Sequence, residues 1–252
     1  MLIKNSLSFL LCLLLANALQ AQNSSFFKSV PTEKISQAAG ISQKVLPKKF
    51  DAYELNEAAL RAVLETAPWE FTAAATQRKC VINVPMGNGK IEPFSVWQIA
   101  MLDAELAAAC PYIRTYAGVS LTDTRRTIRF STTLRGFRAL VLQPDMSSAI
   151  LKPVSIGQAG GLYMAYDRAD SQDDSQKGFQ TGIDPNGYVW FGKDEERFAP
   201  PAEDRGEELA PIRLKVFRFC VAAVGEFTQD HGGTKPLALS AVAEYTNFVS
   251  AI

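Results

Sequence analysis

The chain has 252 residues, with 26 Lys and Arg against 26 Asp and Glu, and one histidine. Its 47% hydrophobic and 21% charged content is that of an ordinary globular protein, and the balanced charge gives no electrostatic case for nucleic acid or for an anionic membrane surface. The single histidine argues against a multi-histidine zinc site within this chain. It also argues against a Ser-His-Asp triad, because His231 lies in the turn-like Asp230-His231-Gly232-Gly233.

The N-terminus opens with Lys4, then an apolar run from Leu7 to Leu15, then small and polar residues to Ala21. A basic start, an apolar stretch too short to span a bilayer and a small residue at the end predict a secretory signal peptide over residues 1–21. Cleavage is expected after Ala21, with Ala18 as the second choice; the alternative is an uncleaved anchor helix. The expected location is extracellular or at the cell surface. No later segment is apolar for long enough to span a membrane. Cys80, Cys110 and Cys220 remain after signal removal. In an oxidising compartment they form one bridge with one free thiol, or sit as three small buried hydrophobes.

Residues 22–50 are polar, hold Pro31 and Pro47, and are expected to form a flexible arm. A helix is predicted over Asn56 to Ala67, capped by Asn56 and stopped by Pro68. Strands are predicted over Cys80–Val84 and Phe94–Ile99, joined by a turn in Gly87-Asn88-Gly89-Lys90, whose spacing is wrong for a P-loop. Asp103 should cap a short helix over Ala104–Ala109, ended by Pro111. Further strands are predicted over Ile113–Val119, Thr127–Thr132, Phe137–Leu142, Ala149–Val154 and Leu162–Tyr166, the third and second of these as a hairpin.

Several short strands with turns between them predict a mainly β, α+β chain. Residues 51–168 would form an antiparallel sandwich-like or strongly curved sheet with flanking helices. Ile128, Phe130, Phe137, Leu140 and Leu142 are the expected core, and Arg129, Ser131 and Arg138 the expected solvent face. Residues 169–211 are charged and proline-bearing and read as a linker, in which Asp173 and Asp174 are solvated. Arg197 and Arg205 are the candidates for proteolytic cutting there. The pattern restarts at 212. Residues 214–222 predict a strand, and Pro236 opens a helix carrying Leu237, Leu239, Val242, Tyr245 and Val249. A strand and one helix cannot bury each other, so residues 212–252 are expected to begin a second, incomplete α/β domain.

Two segments, in order, resemble a known family. Ile113-Arg114-Thr115-Tyr116-Ala117-Gly118-Val119, Asp123 to Phe130 and Gly136-Phe137-Arg138-Ala139 look like the pro-domain of secreted bacterial reprolysin-like (adamalysin-type, metzincin) zinc metalloproteases. Arg213 to Gly233, with Val221 to Phe227 and His231-Gly232-Gly233, is similar to the start of their catalytic domain. The resemblance spans roughly residues 81–252 and implies the pro-segment of a zymogen. Such a segment assists folding and keeps a zinc metalloendopeptidase latent until a linker is cut by an activating protease. The family's H-E-x-x-H-x-x-G-x-x-H helix has no counterpart here, so no catalytic or metal residue is carried over and zinc is expected only in the parent enzyme. Its partner would be its own downstream catalytic domain. A latency thiol from Cys80 or Cys110 would be one means of blocking the metal; steric cover of the cleft would be another. The alternative is a secreted β-sandwich binding or adhesion module with Trp97, Tyr188, Trp190 and Phe191 as a contact face. An enzyme using carboxylates alone is a third reading.

Overall fold

The computed structural model describes residues 26–38, 46–78, 80–155, 161–171 and 220–251. The chain divides into two compact units, Met1–Gln172 with Ala223–Ile252, and Asp173–Ala222. Of the second unit only 220–222 are described, and they are neither helix nor strand.

The first unit is a single antiparallel sheet of nine strands with helices around it. In chain order the elements are β1 (Phe27–Val30), α1 (Glu33–Ala38), β2 (Asp51–Leu55), α2 (Glu57–Leu64), α3 (Ala73–Thr76), β3 (Val81–Pro85), β4 (Ile91–Ile99), α4 (Ala104–Ala109), β5 (Arg114–Ser120), β6 (Thr127–Thr133), β7 (Gly136–Leu142), β8 (Ser148–Pro153) and β9 (Leu162–Asp167). A 3-10 turn (Arg168–Asp170), α5 (Gly225–Asp230) and α6 (Lys235–Val249) complete them. The spatial order is β1-β2-β9-β8-β7-β6-β5-β4-β3, so β3 to β9 form an uninterrupted meander and the β1–β2 hairpin extends it at β9.

Curvature brings the two ends together. Edge strands β1 and β3 approach each other, and the β3–β4 turn is fastened across the gap, where Gly89 N donates to Asp51 Oδ2 at 2.8 Å. Gly87 sits so close to β9 that a Cβ there would lie 2.4 Å from the Asp167 nitrogen. Only a residue without a side chain allows that approach. Of the two architectures the strand pattern allowed, the one present is the curved single sheet.

The inner face carries the core. Period-two alternation points Ile82, Phe94, Val96, Tyr116, Ile128, Phe130, Phe137, Val141, Leu151 and Tyr163 inward, all buried in one cluster. Tyr116 stacks on Phe130 at 4.7 Å, and Phe130 meets Phe137 at 5.2 Å. Helix α2 fills the interior from one end. Asn56 caps it by accepting from Ala59 N at 3.1 Å, and Leu60 and Leu64, four residues apart, face the cluster. The helix ends at Leu64, before the proline.

Several expectations are corrected. Residues 22–50 are not simply an arm, because β1 pairs with β2 and α1 follows it. Phe27 enters the core and Ile35 is fully buried on the outer face against Ala52 and Met164. Leu140 and Leu142 are not with Phe137, because alternation from Phe137 selects Ala139 and Val141 instead. Leu140 joins Arg129 and Ile150 in an outer cross-strand row. Ser131 lies on the outer face as expected but is fully buried, since α6 covers it. Residues 223–252 group with the sheet in one compact unit. The strand expected over 214–222 lies outside the described residues as far as 219, and 220–222 form none. Most of the 169–211 linker also lies outside them.

Candidate functional site

Helix α6 is an inverted amphipath. Its buried positions are Ala238, Ser240, Ala241, Ala243, Glu244 and Asn247, whereas Tyr245 and Val249 are exposed. Ser240, Glu244 and Asn247 follow helical spacing and form a polar stripe on the face that meets β6. The small alanines beside them let the helix lie close to the sheet.

Glu244 is the centre of that contact. Its carboxylate, 0% exposed, accepts from Thr133 Oγ1 at 2.7 Å and from Arg135 Nε at 3.1 Å, and pairs with Arg138 Nε at 3.5 Å. Arg135, in the β6–β7 turn, also donates from Nη1 to the His231 carbonyl at 3.2 Å, tying in the end of α5. Burial, then the nearby Arg138, pull the Arg135 guanidinium below its ordinary range, against the opposing pull of Glu244. Asn247 Nδ2 donates to the Phe130 carbonyl at 2.9 Å and to Ser131 Oγ at 3.2 Å. At the far end, Arg129 Nη2 donates to the Ser250 carbonyl at 3.4 Å. Buried pairs of this kind contribute little net stability but fix one geometry, because any other register strands a desolvated charge.

A second feature lies at the α2 end of the sheet. A cavity of about 370 Å³ has an apolar floor that includes Leu60, Leu64, Tyr116 and Phe137. A shallower depression of about 570 Å³ runs over α2 and shares Leu55, Glu57, Arg61 and Glu65 with it. Beside the cavity, Tyr163 donates its hydroxyl to Glu57 Oε1 and accepts from Phe137 N, both at 3.1 Å; burial pushes that hydroxyl's pKa well up. Thr133 lines the cavity and also bonds Glu244, so the two features share a residue.

The residues singled out from sequence are dispersed. Ala21, Arg197, Arg205, Asp173, Asp174, Tyr188, Trp190 and Phe191 lie outside the described residues. Cys80 is buried in the main core with Sγ 3.7 Å from the Val63 carbonyl, and burial pushes its thiol up, away from the thiolate a metal requires. Cys110 lies in a different cluster with Ile113 and Ala243, and its sulfur accepts from Tyr112 Oη at 3.4 Å. The two are free thiols, not a bridge, and Cys220 is free and exposed. Trp97 is half-buried on the outer face of β4. His231 turns inward on itself, with Nδ1 2.7 Å from the Phe227 carbonyl and Nε2 3.0 Å from Tyr245 Oη. Among the described residues no three His, Cys, Asp or Glu side chains are grouped to hold a metal ion. No helix among them is long and apolar enough to cross a membrane.

Sequence reasoning missed Arg135, Glu244 and Asn247. The available signal was the 240/244/247 polar stripe within a largely apolar helix.

No family model matches the chain, and neither a curated protein nor a solved structure matches it.

Proposed function

We propose that this chain is the pro-segment portion of a secreted zinc metalloendopeptidase, together with the opening of its catalytic segment. Its sheet holds that segment in place, assisting its folding and keeping the enzyme latent. The reading begins from the reprolysin-like sequence features at 113–139 and 213–233. The observation that carries it is the two-faced helix α6. The polar stripe of α6 is locked on the sheet through Glu244, while on the other side Val249 is exposed and Tyr245, held by its hydroxyl to His231, is 41% exposed. A helix with both a buried polar face and an exposed apolar one suits an element shared between two bodies, here the pro-segment and the rest of the catalytic segment. On this reading latency is steric, zinc belongs to that catalytic segment, and export depends on residues 1–21. Cutting at Arg197 or Arg205 by an activating protease separates the sheet covalently from α5 and α6 and leaves them joined by non-covalent contacts, those of Glu244 and Asn247 foremost.

The test is made on the full-length gene product secreted by its host. It should show negligible peptide-bond hydrolysis until limited trypsin treatment, then gain it, with a new N-terminus after Arg197 or Arg205. The Arg197→Gln/Arg205→Gln double variant should stay latent. A product that hydrolyses peptide bonds equally before and after cutting, or not at all in either state, overturns the reading.

A further inference from the structure

We propose that the cavity beside α2 is a binding site for a short peptide with free termini and one large apolar side chain. This does not rest on the pro-segment reading. The cavity's size falls within the range of small-molecule sites. Its floor, formed by Leu60, Leu64, Tyr116 and Phe137, offers an apolar or aromatic side chain a place out of water.

The mouth decides the ligand's chemistry. Glu57 and Arg61 on α2 and Glu65 at its C-cap line it at successive four-residue spacings, and Arg114 lines it from β5. At such spacing carboxylate and guanidinium ordinarily pair, yet among the described residues no ion pair joins any of these four. Among the described residues Arg114 donates long hydrogen bonds, 3.3 Å to the Pro111 carbonyl and 3.4 Å to Gln98 Oε1. The site therefore presents two carboxylates and two guanidiniums that form no ion pair among the described residues, Glu57 being held by the Tyr163 hydroxyl alone, around an apolar hole. A fatty acid would satisfy the guanidiniums but be repelled by Glu57 and Glu65, and a cationic amphiphile would meet the reverse. A zwitterion with separated charges satisfies both, with its carboxylate on Arg61 or Arg114 and its ammonium on Glu65 or Glu57. The neighbouring depression over α2, bounded by the same charged residues, gives a longer chain a path out of the cavity.

The test is calorimetric titration of the full chain with four probes: Leu-Phe, N-acetyl-Leu-Phe, Leu-Phe-amide and decanoate. Leu-Phe should bind with a dissociation constant of order 0.1–1 mM, and blocking either terminus should weaken it about tenfold. Arg114→Gln should weaken Leu-Phe but leave Leu-Phe-amide unchanged. Glu65→Gln should weaken Leu-Phe but leave N-acetyl-Leu-Phe unchanged. Both positions are at the surface, and unchanged circular dichroism verifies that each variant is folded. Absence of Leu-Phe binding up to about 10 mM, equal binding of all four probes, or tighter binding of decanoate each overturns the proposal.

Discussion

Inside the curved sheet, Phe94, Phe130, Phe137 and Leu151 are buried against one another with only apolar atoms to offer. On the outer face of β6 and β7, an equally buried contact is made by Ser131, Arg135, Glu244 and Asn247. The first region is held by area removed from water, which has no direction and tolerates repacking of similar volume. The second is held by hydrogen bonds and opposite charges, which fail together if the helix shifts by one turn. A core of the first kind makes the sheet stable. An interface of the second kind makes the position of α6 specific, and it can be released without unfolding what lies beneath, because charged groups freed from it return to water.

That contrast can be broken at several points. The largest effect is expected for Phe130→Ala, which empties an aromatic site touching Tyr116 and Phe137. It should cost about 3–5 kcal/mol in chemical denaturation and lower the whole transition. Glu244→Ala strands Arg135, 3% exposed at its side chain, without its carboxylate. Removing one partner of a buried pair commonly costs about 3–5 kcal/mol, but here the loss is capped by the free energy of undocking α6. The expected result is faster hydrogen exchange and proteolysis confined to 223–251, with the sheet still protected. Global unfolding instead would show that the two regions are one cooperative unit. Replacing the pair by Arg135→Met with Glu244→Leu should recover much of the docking strength while loosening its register.

Smaller effects come from the polar cluster at Glu92. Burial alone would raise its carboxyl, but hydrogen bonds from the Ser120 and Thr122 hydroxyls and the Arg126 guanidinium at 2.9 Å outweigh burial and hold it below the ordinary 4.5. The folded value is depressed, so its stabilisation is complete above pH 4.5 and is lost as pH falls through the lower folded value. Glu92→Gln should cost of order 1 kcal/mol at neutral pH, and the difference from wild type should shrink in denaturation curves taken through pH 4 to 2. Least of all, Asn56→Ala removes the α2 cap and should cost about 0.5–1 kcal/mol. It should be visible mainly as earlier exchange of the Ala59 amide.

The inner face was legible because alternation over Thr127–Thr132 and the hairpin to Phe137 carry a period-two signal. Asn56 and Asp103 were legible as caps because their chemistry is local; Asp103 accepts from Leu106 N at 2.8 Å. The outer face was not legible. Ser131 and Arg138 look like solvent positions unless something covers them, and the cover comes from Glu244, more than a hundred residues later. The α6 pattern misled for the same reason. Leu237, Leu239 and Val242 are half-buried, with Leu239 packed against Cys110 and Ile113, but it is the polar stripe that meets the arginines of the sheet. Phe26-Phe27 was hidden by the polar average of its surroundings. The cavity had no signature in sequence, since its residues come from β2, α2, β4, β5, the segment before β5 and the β6–β7 hairpin.

His231 has a use beyond the contacts already described. It is the only imidazole in the chain, stacked 4.0 Å from Phe227 and set edge-on to Tyr245 at 5.6 Å, while its carbonyl receives Arg135. Ring currents from two aromatic neighbours displace its proton resonances, and no second histidine overlaps them. A one-dimensional NMR spectrum of the unlabelled protein therefore carries a single-site readout of whether α5 and α6 are in place. The same signal followed through proteolysis, titration or denaturation reports the release of this one helix pair in real time.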